Sequence, residues 1–501
     1  MKRHLLVLAA LCAMHLAGVT AWGAVAAVGQ WDRFEAALEN PKRYDDPYRE
    51  TMLRATYTRP DGRTVDFRGF YDGGPTWKIR FMPDQIGTWK YEASFSDGSA
   101  GTSGTFECVP SELPGMVAKD EANPMWFGFK GGRHTLVRGL HVGDRFFAAN
   151  WPGAQRTAFL DWAQGQGYNL LSIASHYLNR DAKGRGRGWQ TPDLWPLNAA
   201  EYQRMERLLD DLAARRILVF PFAGFFGQSS DFPRDPADQE RYVRYTLARL
   251  GPYWNVLFNV AGPEPNVGKK WMPDEEVVRL GRMIRDLDVF GHLLSVHNRT
   301  GDDPYRDADW TSYGVLQGPK TLDRARLSAT LLRNHHGAKP LLAQETLWPG
   351  NINHPNYTET DIRKNAFVIM TAATALCFAD MNGDSSTGFS GSMDLAEKVQ
   401  ARHDIVKRVW DFFETVPFYR MSPRQDLVSA GFCLAEPGKE YLVYLEKPGA
   451  VDVATEGGPY REQWIDARDP TKRRDVGMTA DGKRLASPNE GEDWLLHLRK
   501  P

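Results

Sequence analysis

Between residues 31 and 109 the chain alternates apolar and polar positions, in short segments that Pro and Gly interrupt. Segments 53–57, 64–67, 77–81 and 88–93 carry this alternation. A period of two is typical of strands with one buried face, and closely spaced turns are typical of antiparallel sheets. We therefore predict a small antiparallel β-sandwich over residues 28–115.

From about residue 116 the pattern changes to continuous apolar runs that alternate with amphipathic stretches such as 201–215. Apolar strands alternating with helices predict a parallel sheet covered on both faces, and eight such runs predict a (β/α)8 TIM barrel over residues 116–417. The helix 394–415 would close it. The runs are Thr135–His141, Leu170–Ser175, Ile217–Ala223, Val256–Ala261, Leu293–His297, Trp310–Leu316, Pro340–Gln344 and Leu376–Asp380.

After about residue 418 the alternating segments return, at 432–435, 440–445 and 494–498. They predict a second antiparallel β-sandwich over residues 418–501. The predicted fold class is therefore α/β, with a TIM barrel flanked by an amino-terminal and a carboxy-terminal sandwich.

The first 27 residues have the order of a secretory signal peptide: a basic start, an apolar run from Leu5 to Ala17, and small residues from Ala21 to Ala27. We expect cleavage between Ala24 and Ala27 and a secreted or periplasmic protein, with a retained anchor as the alternative. The apolar run is too short for a comfortable membrane span, and no later segment is long and apolar enough, so no integral span is expected after cleavage.

Composition narrows the choice of partners. The 501 residues carry 62 basic and 63 acidic side chains without a long run of like charge, so nucleic acid is not expected to bind. Cys108, Cys377 and Cys433 are too far apart for a metal knuckle, and buried free thiols are expected, with one disulfide left open. No phosphate-binding loop, zinc motif or nucleophile elbow occurs, so no cofactor or required metal is predicted. The oxygen-rich segment 380–386 leaves bound calcium open.

Two glutamates follow runs on opposite sides of the predicted barrel. The fourth run leads into Gly262-Pro263-Glu264, and the seventh is followed directly by Glu345. Barrel chemistry sits at the carboxyl ends of the strands. Facing carboxylates at that end suit glycosidic bond cleavage, in which one protonates the leaving oxygen and the other attacks or activates water.

Further polar and aromatic residues near the ends of the runs could contact sugar hydroxyls and stack on sugar rings. The wider set includes Asn179, Gln317 and Asn298. The predicted substrate-binding residues are His141, His176, Tyr177, Asn259, His297, Tyr313, Trp348 and Asp380.

The two glutamates after runs four and seven resemble the pattern of glycoside hydrolase clan A, and the wider chain resembles the apiosidase-like hydrolases. The narrower resemblance lies in 31–35 (Trp-Asp-Arg-Phe-Glu), 67–73 (Phe-Arg-Gly-Phe-Tyr-Asp-Gly), 80–83 with 87–89, and 409–413 (Val-Trp-Asp-Phe-Phe). It spans nearly the whole mature chain and implies that the tail is a collagen-binding-like domain. It also implies a retaining mechanism with Glu264 as acid/base and Glu345 as nucleophile.

The chain departs from the clan at one position. Members usually have Asn directly before the acid/base glutamate, where it holds the sugar 2-hydroxyl, and Pro263 stands there in this sequence. Asn259 and Asn266 are the candidates for that role.

The sequence thus predicts a secreted retaining glycoside hydrolase for a plant, algal or microbial polysaccharide or its oligosaccharides. A non-catalytic glycan-binding or cell-surface scaffold protein and a polysaccharide lyase are the alternatives. The sugar, the linkage, exo or endo action and the oligomeric state stay open.

Overall fold

The computed structural model describes residues 26–142, 153–173, 197–221, 233, 235–261, 265, 272–335, 339–351, 353–380, 397–479 and 484–501. All but the last two residues of the predicted signal peptide lie outside these ranges. Cys108, Cys377 and Cys433 are buried free thiols, as expected. Among the described helices, none combines the length and the apolar character that a bilayer crossing requires.

The amino-terminal region contains two sheets, of order β1-β8-β7-β3-β4 and β2-β6-β5, in which only the β1–β8 pair is parallel. Aromatic rings join the sheets: Phe34 stacks on Phe106 with centroids 4.1 Å apart, and Tyr57 on Phe81 at 4.3 Å. The alternating segments are therefore strands, as predicted. The elements are β1 Ala26–Gly29, β2 Phe34–Glu39, the short helix α1 Pro47–Glu50, β3 Leu53–Thr58, β4 Thr64–Arg68, β5 Phe70–Gly73, β6 Thr76–Phe81, β7 Gly87–Phe95 and β8 Thr102–Val109.

A short hairpin precedes eight parallel strands in the described part of the chain, and every predicted run overlaps one of these strands. The strands pair in the order β13-β12-β11-β18-β17-β16 and β14-β15. Single parallel bridges between Val219 and Val256 and between Thr300 and Gln317 join the two sheets on both sides, so the strands follow one another around a ring. The hairpin is β9 Val117–Lys119 and β10 Phe127–Phe129; the strands are β11 Arg138–His141, β12 Leu170–Ile173, β13 Leu218–Pro221, β14 Phe258–Asn259, β15 Leu294–Ser295, β16 Gly314–Gln317, β17 Leu341–Leu347 and β18 Thr374–Phe378.

Helices follow seven of the eight strands, and the expected helix between β15 and β16 is wrong. Residues 296–313, all of them described, contain turns and the bridge at Thr300 but no helix. Residues 298–309 are mostly polar, contain Pro304 and lack apolar positions at helical spacing, so no helical face can be buried there. The helices are α2 Gly153–Gly165, α3 Ala199–Ala214, α4 Pro236–Leu250, α5 Asp274–Leu287, α6 Arg324–Asn334, α7 Glu359–Thr371 and α8 Glu397–Phe413.

The turn segment between β15 and β16 buries a carboxyl group, that of Asp303, which is 2% exposed. One of its oxygens accepts hydrogen bonds from Asn298 Nδ2 at 2.8 Å and from the Tyr305 N–H at 3.0 Å. These hydrogen bonds favour the charged carboxylate, but burial disfavours it more strongly and raises the pKa of Asp303 to about 7.

This pKa predicts a pH-dependent stability. Because the folded pKa lies above the unfolded value of about 3.9, the folded chain holds the proton more tightly, and stability present below pH 4 is lost as the pH rises towards 7. The loss is at most about 1.4 kcal/mol per pH unit for one proton. We expect Asp303→Asn to lack it in urea unfolding between pH 4 and 8. The exposed Asp309→Asn on the same segment serves as control, and superimposable profiles for Asp303→Asn and wild type would contradict the assignment.

The carboxy-terminal region contains an antiparallel sheet of order β19-β20-β21-β26-β23-β24 and the pair β22-β25. The alternating segments are again strands, and Phe418–Arg420 and Gln425–Leu427 form short 3-10 helices. The sandwich arrangements and the domain boundaries stay predictions. The strands are β19 Ser422–Pro423, β20 Phe432–Glu436, β21 Glu440–Leu445, β22 Ala450–Asp452, β23 Tyr460–Asp466, β24 Arg473–Thr479, β25 Arg484–Ala486 and β26 Trp494–Arg499.

A buried ion cluster joins the amino-terminal sheets to the barrel. Glu206 on α3 accepts two hydrogen bonds from Arg80 on β6, at 2.8 and 3.1 Å, and two from Arg249 on α4, at 2.6 and 2.9 Å. Arg249 also pairs with Asp72 on β5 at 2.7 Å. The Phe70 ring lies within 5 Å of both guanidinium groups. Burial by itself would raise the pKa of Glu206, but the two arginines outweigh it and lower the pKa.

Candidate active site

Glu345 lies in an irregular part of strand β17. The five residues from Ala343 to Leu347 lie opposite only three residues, Leu376 to Phe378, on the neighbouring strand β18, so β17 carries a bulge there. Glu345 has a φ of 52°, in the left-handed region. A left-handed backbone at a non-glycine residue costs on the order of 1–3 kcal/mol, and bulges commonly re-aim side chains next to active sites. The local backbone therefore marks Glu345 as a candidate functional residue.

The ends of strands β16 and β11 supply contacts to the Glu345 carboxylate, which is almost fully buried. Gln317, the last residue of β16, donates a hydrogen bond from Nε2 to Oε2. His141, the last residue of β11, places Nε2 3.6 Å from Oε1. Thr300 donates to Gln317 Oε1 at 2.6 Å and so turns the amide Nε2 towards Glu345.

His141 is oriented by residues on two further strands. Its Nδ1 lies 3.0 Å from Gln344 Nε2 and 3.1 Å from Ser172 Oγ. The NH2 group of Gln344, which faces Nδ1, can only donate, so Nδ1 accepts and the ring proton sits on Nε2, facing Glu345. Burial and the neighbouring His297 lower the pKa of His141 to about 3. At neutral pH the ring is therefore an uncharged donor.

His297 and Trp348 lie in the same surroundings. Burial, reinforced by Lys320, lowers the pKa of His297 to about 3, and its ring lies edge-on to Phe220 at 6.3 Å. The Trp348 ring meets the His141 ring at 5.1 Å in an edge arrangement. The structure thus brings three of the predicted binding residues, His141, His297 and Trp348, into the surroundings of Glu345.

Three other predicted binding residues have structural contacts. Asn259 donates to the Pro221 carbonyl at 3.2 Å, tying β14 to β13. Tyr313 precedes β16, at the opposite end of that strand from Gln317, and its hydroxyl donates to the Phe258 carbonyl at 2.9 Å within the barrel core. The Asp380 carboxylate faces α8, 3.0 Å from Arg402 Nη1. Tyr313 is therefore corrected from the barrel mouth to its core.

The remaining predicted site residues, Glu264, His176 and Tyr177, lie outside the described residues. The spacing of the two glutamates accordingly stays a prediction. In the part of the chain that the structure describes, no three His, Cys, Asp or Glu side chains are grouped so that they could hold a metal ion.

Two residues that shape the site were missed from the sequence. Gln344 and Ser172 both orient His141, but both belong to apolar runs and were assigned to strands without a further role. The available signal was a polar side chain within a wholly buried strand, which must find a partner inside the barrel.

Comparisons with known proteins give the following picture. Residues 27–96 match a family model described as a domain of unknown function, DUF5060. No curated protein matches the chain.

Solved structures are similar over most of the chain. A candidate glycoside hydrolase from Bacteroides vulgatus is 17% identical with a TM-score of 0.74, covering 95% of this chain and 100% of that protein. A glycoside hydrolase family 5 protein from the same organism is 14% identical with a TM-score of 0.59, covering 77% of this chain and 94% of that protein. At these identities the similarity establishes a fold found among glycoside hydrolases.

Proposed function

We propose that the protein is a secreted, retaining glycoside hydrolase acting on a plant, algal or microbial polysaccharide or its oligosaccharides. The observation that carries the proposal is Glu345: a buried carboxylate in the bulged carboxyl-terminal part of strand β17, on a left-handed backbone, within reach of two uncharged nitrogen donors. Bulges and left-handed backbones at non-glycine residues cluster at active sites, where they set the direction of a functional side chain.

In the proposed reaction, Glu345 attacks the anomeric carbon while Glu264 protonates the leaving glycosidic oxygen, and a covalent glycosyl-enzyme forms. Glu264, now a carboxylate, then removes a proton from water. That water cleaves the glycosyl ester, releasing the sugar with retained configuration and restoring both groups. This route requires carboxyl groups about 5–5.5 Å apart.

The neighbouring residues suit the two charge states of Glu345. Gln317 holds the carboxylate by a hydrogen bond, and His141 Nε2 lies 3.6 Å from it; because both side chains are uncharged at neutral pH, neither neutralises the carboxylate. The Glu345 carboxylate would therefore keep its negative charge for the attack and lose it when the glycosyl ester forms. The flat ring of Trp348 would offer a stacking surface to a bound sugar.

A screen tests this proposal. Purified protein would be incubated with plant and algal polysaccharides, together with Glu345→Gln as the matched negative control, and products would be identified by mass spectrometry and NMR. New reducing ends in the wild type alone support hydrolysis. Products that absorb in the ultraviolet through a new double bond would identify a lyase, and binding without any product would identify a glycan-binding protein.

Gln317 is expected to act as a positioning residue for Glu345. The leucine of Gln317→Leu is similar in size to glutamine but has no hydrogen-bond donor. The Glu345 carboxylate would therefore bind a proton more tightly and would be oriented less firmly towards the substrate. We expect kcat to fall by about 10- to 100-fold with KM little changed. The acidic limb of the kcat profile should also move to higher pH.

The control for this variant is Gln164→Leu, which removes an exposed glutamine on α2 that bonds to the Arg215 carbonyl. It should leave both the rate and the pH profile unchanged. A lower rate in Gln317→Leu with an unshifted acidic limb would assign Gln317 a packing role only.

A further inference from the structure

A cleft of about 820 Å³ lies between the outward face of the five-stranded amino-terminal sheet and helices α4 and α5 of the barrel. Arg54 and Arg68 extend from its floor, and Arg244 of α4 and Leu287 of α5 line its wall. Leu287 ends α5, and barrel helices run antiparallel to the strands. The cleft therefore lies towards the amino-terminal ends of the strands, away from the end that carries Glu345.

Two arginines of this cleft lie side by side on adjacent strands of the sheet. Arg54 on β3 is the direct cross-strand partner of Arg68 on β4. Like charges in directly opposed positions destabilise a sheet. Within the described part of the chain, neither guanidinium has a carboxylate within 4 Å, whereas Arg244 pairs with Glu240 at 2.6 Å. The sheet thus holds two cations side by side, and neither forms an ion pair among the described residues.

The electrostatics of Arg68 follow from this arrangement. Its side chain is half-buried, and burial together with Arg244 lowers the pKa to about 10, with Arg54 and Arg241 adding to the effect. Glu240 opposes it only in part. A bound anion would relieve this repulsion, because a guanidinium pairs with carboxylate or sulfate through two parallel hydrogen bonds.

The cleft also contains two carboxylates, which limit the kinds of anion that could bind there. Asp66 and Glu92 line the same floor, and Asp66 already accepts a hydrogen bond from Thr56 Oγ1 at 2.7 Å. Two carboxylates would repel a polyphosphate or a nucleic acid. They would accept hydrogen bonds from hydroxyl groups, and the cleft volume falls in the range of pockets that enclose a small organic ligand.

We propose that this cleft binds an oligosaccharide that carries carboxylate or sulfate groups, with Arg54 and Arg68 on the acid group and Asp66 and Glu92 on sugar hydroxyls. Binding here needs no catalysis and uses no residue near Glu345. It therefore stands or falls independently of the proposed hydrolase activity.

Isothermal titration of the full chain tests the proposal, in the Glu345→Gln background so that no ligand is consumed. The probes are a galacturonic acid hexasaccharide, a sulfated galactan hexasaccharide, a neutral glucose hexasaccharide and inorganic sulfate. At least one acidic hexasaccharide should bind at least tenfold more tightly than the neutral one and than sulfate. Arg54→Gln/Arg68→Gln should reduce that affinity at least tenfold. Arg63→Gln, which removes an exposed arginine paired with Asp61 on the β3–β4 turn, should not change it.

Thermal unfolding separates lost binding from lost folding. In the same Glu345→Gln background, the double variant should melt at or above the temperature of its parent, because the like-charge pair is gone, and the acidic hexasaccharide should raise the melting temperature of the parent alone. Three results would overturn the proposal: no acidic hexasaccharide binds, both proteins bind it equally, or inorganic sulfate binds as tightly as the hexasaccharides. If the double variant melts lower, Arg68→Gln alone is titrated, and equal affinity in that variant would again overturn it.

Discussion

Glu345→Gln is expected to lose activity by at least about a thousandfold on every substrate. The amide has nearly the shape of the carboxylate and can occupy the same place beside Gln317 and His141, but it cannot attack the anomeric carbon. The measurement is kcat on both an aryl glycoside and a natural oligosaccharide, with the melting temperature recorded to show that the fold is intact.

Glu264→Ala should behave differently, and this contrast separates the two roles. An activated aryl leaving group hardly needs protonation, so the glycosyl-enzyme should still form, while natural glycosides should not react. Azide needs no general base and should restore turnover on the aryl substrate with a product of retained configuration. Equal losses in both variants on all substrates, with no effect of azide, would point to inversion or to a protein that only binds.

The second large effect is expected for folding stability. Glu206→Ala leaves Arg80 and Arg249 buried without the carboxylate that both of them bind. Removing one partner from a buried ion cluster typically costs about 3–5 kcal/mol. We expect a lower urea midpoint and greater binding of a hydrophobic dye, because the amino-terminal sheets should separate more easily from α3 and α4.

Asp161→Ala is the matched control for this variant. It also removes an acidic partner of an arginine, Arg215, but the Asp161 side chain is 62% exposed. Exposed pairs contribute at most about 1 kcal/mol, so its urea midpoint should stay close to that of the wild type. If both variants lowered the midpoint equally, the buried cluster would have no special role in joining the two regions.

The fold was largely predictable because hydrophobic periodicity reports which faces of a chain can be buried. Continuous apolar runs located all eight parallel strands, and alternation located the flanking antiparallel ones. The helix expected between β15 and β16 was wrong, since residues 298–309 are mostly polar and have no apolar positions at helical spacing that could be buried. The short β9–β10 hairpin was missed because segments of three residues are too short to display a period.

The site was predictable in part. Glu345 could be found because a residue that follows an apolar run of a barrel is expected at the mouth, but its left-handed backbone could not. The Gln317 contact depends on the register between β16 and β17, which no local pattern reports. Tyr313 was misplaced because β16 begins at Gly314, four residues after the start of the apolar run. The tyrosine therefore lies just before the amino-terminal end of the strand and not at the barrel mouth.

The cluster around Glu206 has a consequence for how this architecture can be rebuilt by recombination. The carboxylate belongs to the barrel, whereas one of its two arginines, Arg80, belongs to the preceding sheets. A gene fusion that exchanged the front region for another would remove Arg80 from Glu206 and Asp72 from Arg249, unless the new region brought an arginine and a carboxylate to the same places. The two regions are therefore matched to each other through this ion cluster, and replacing one of them would require matching changes in the other.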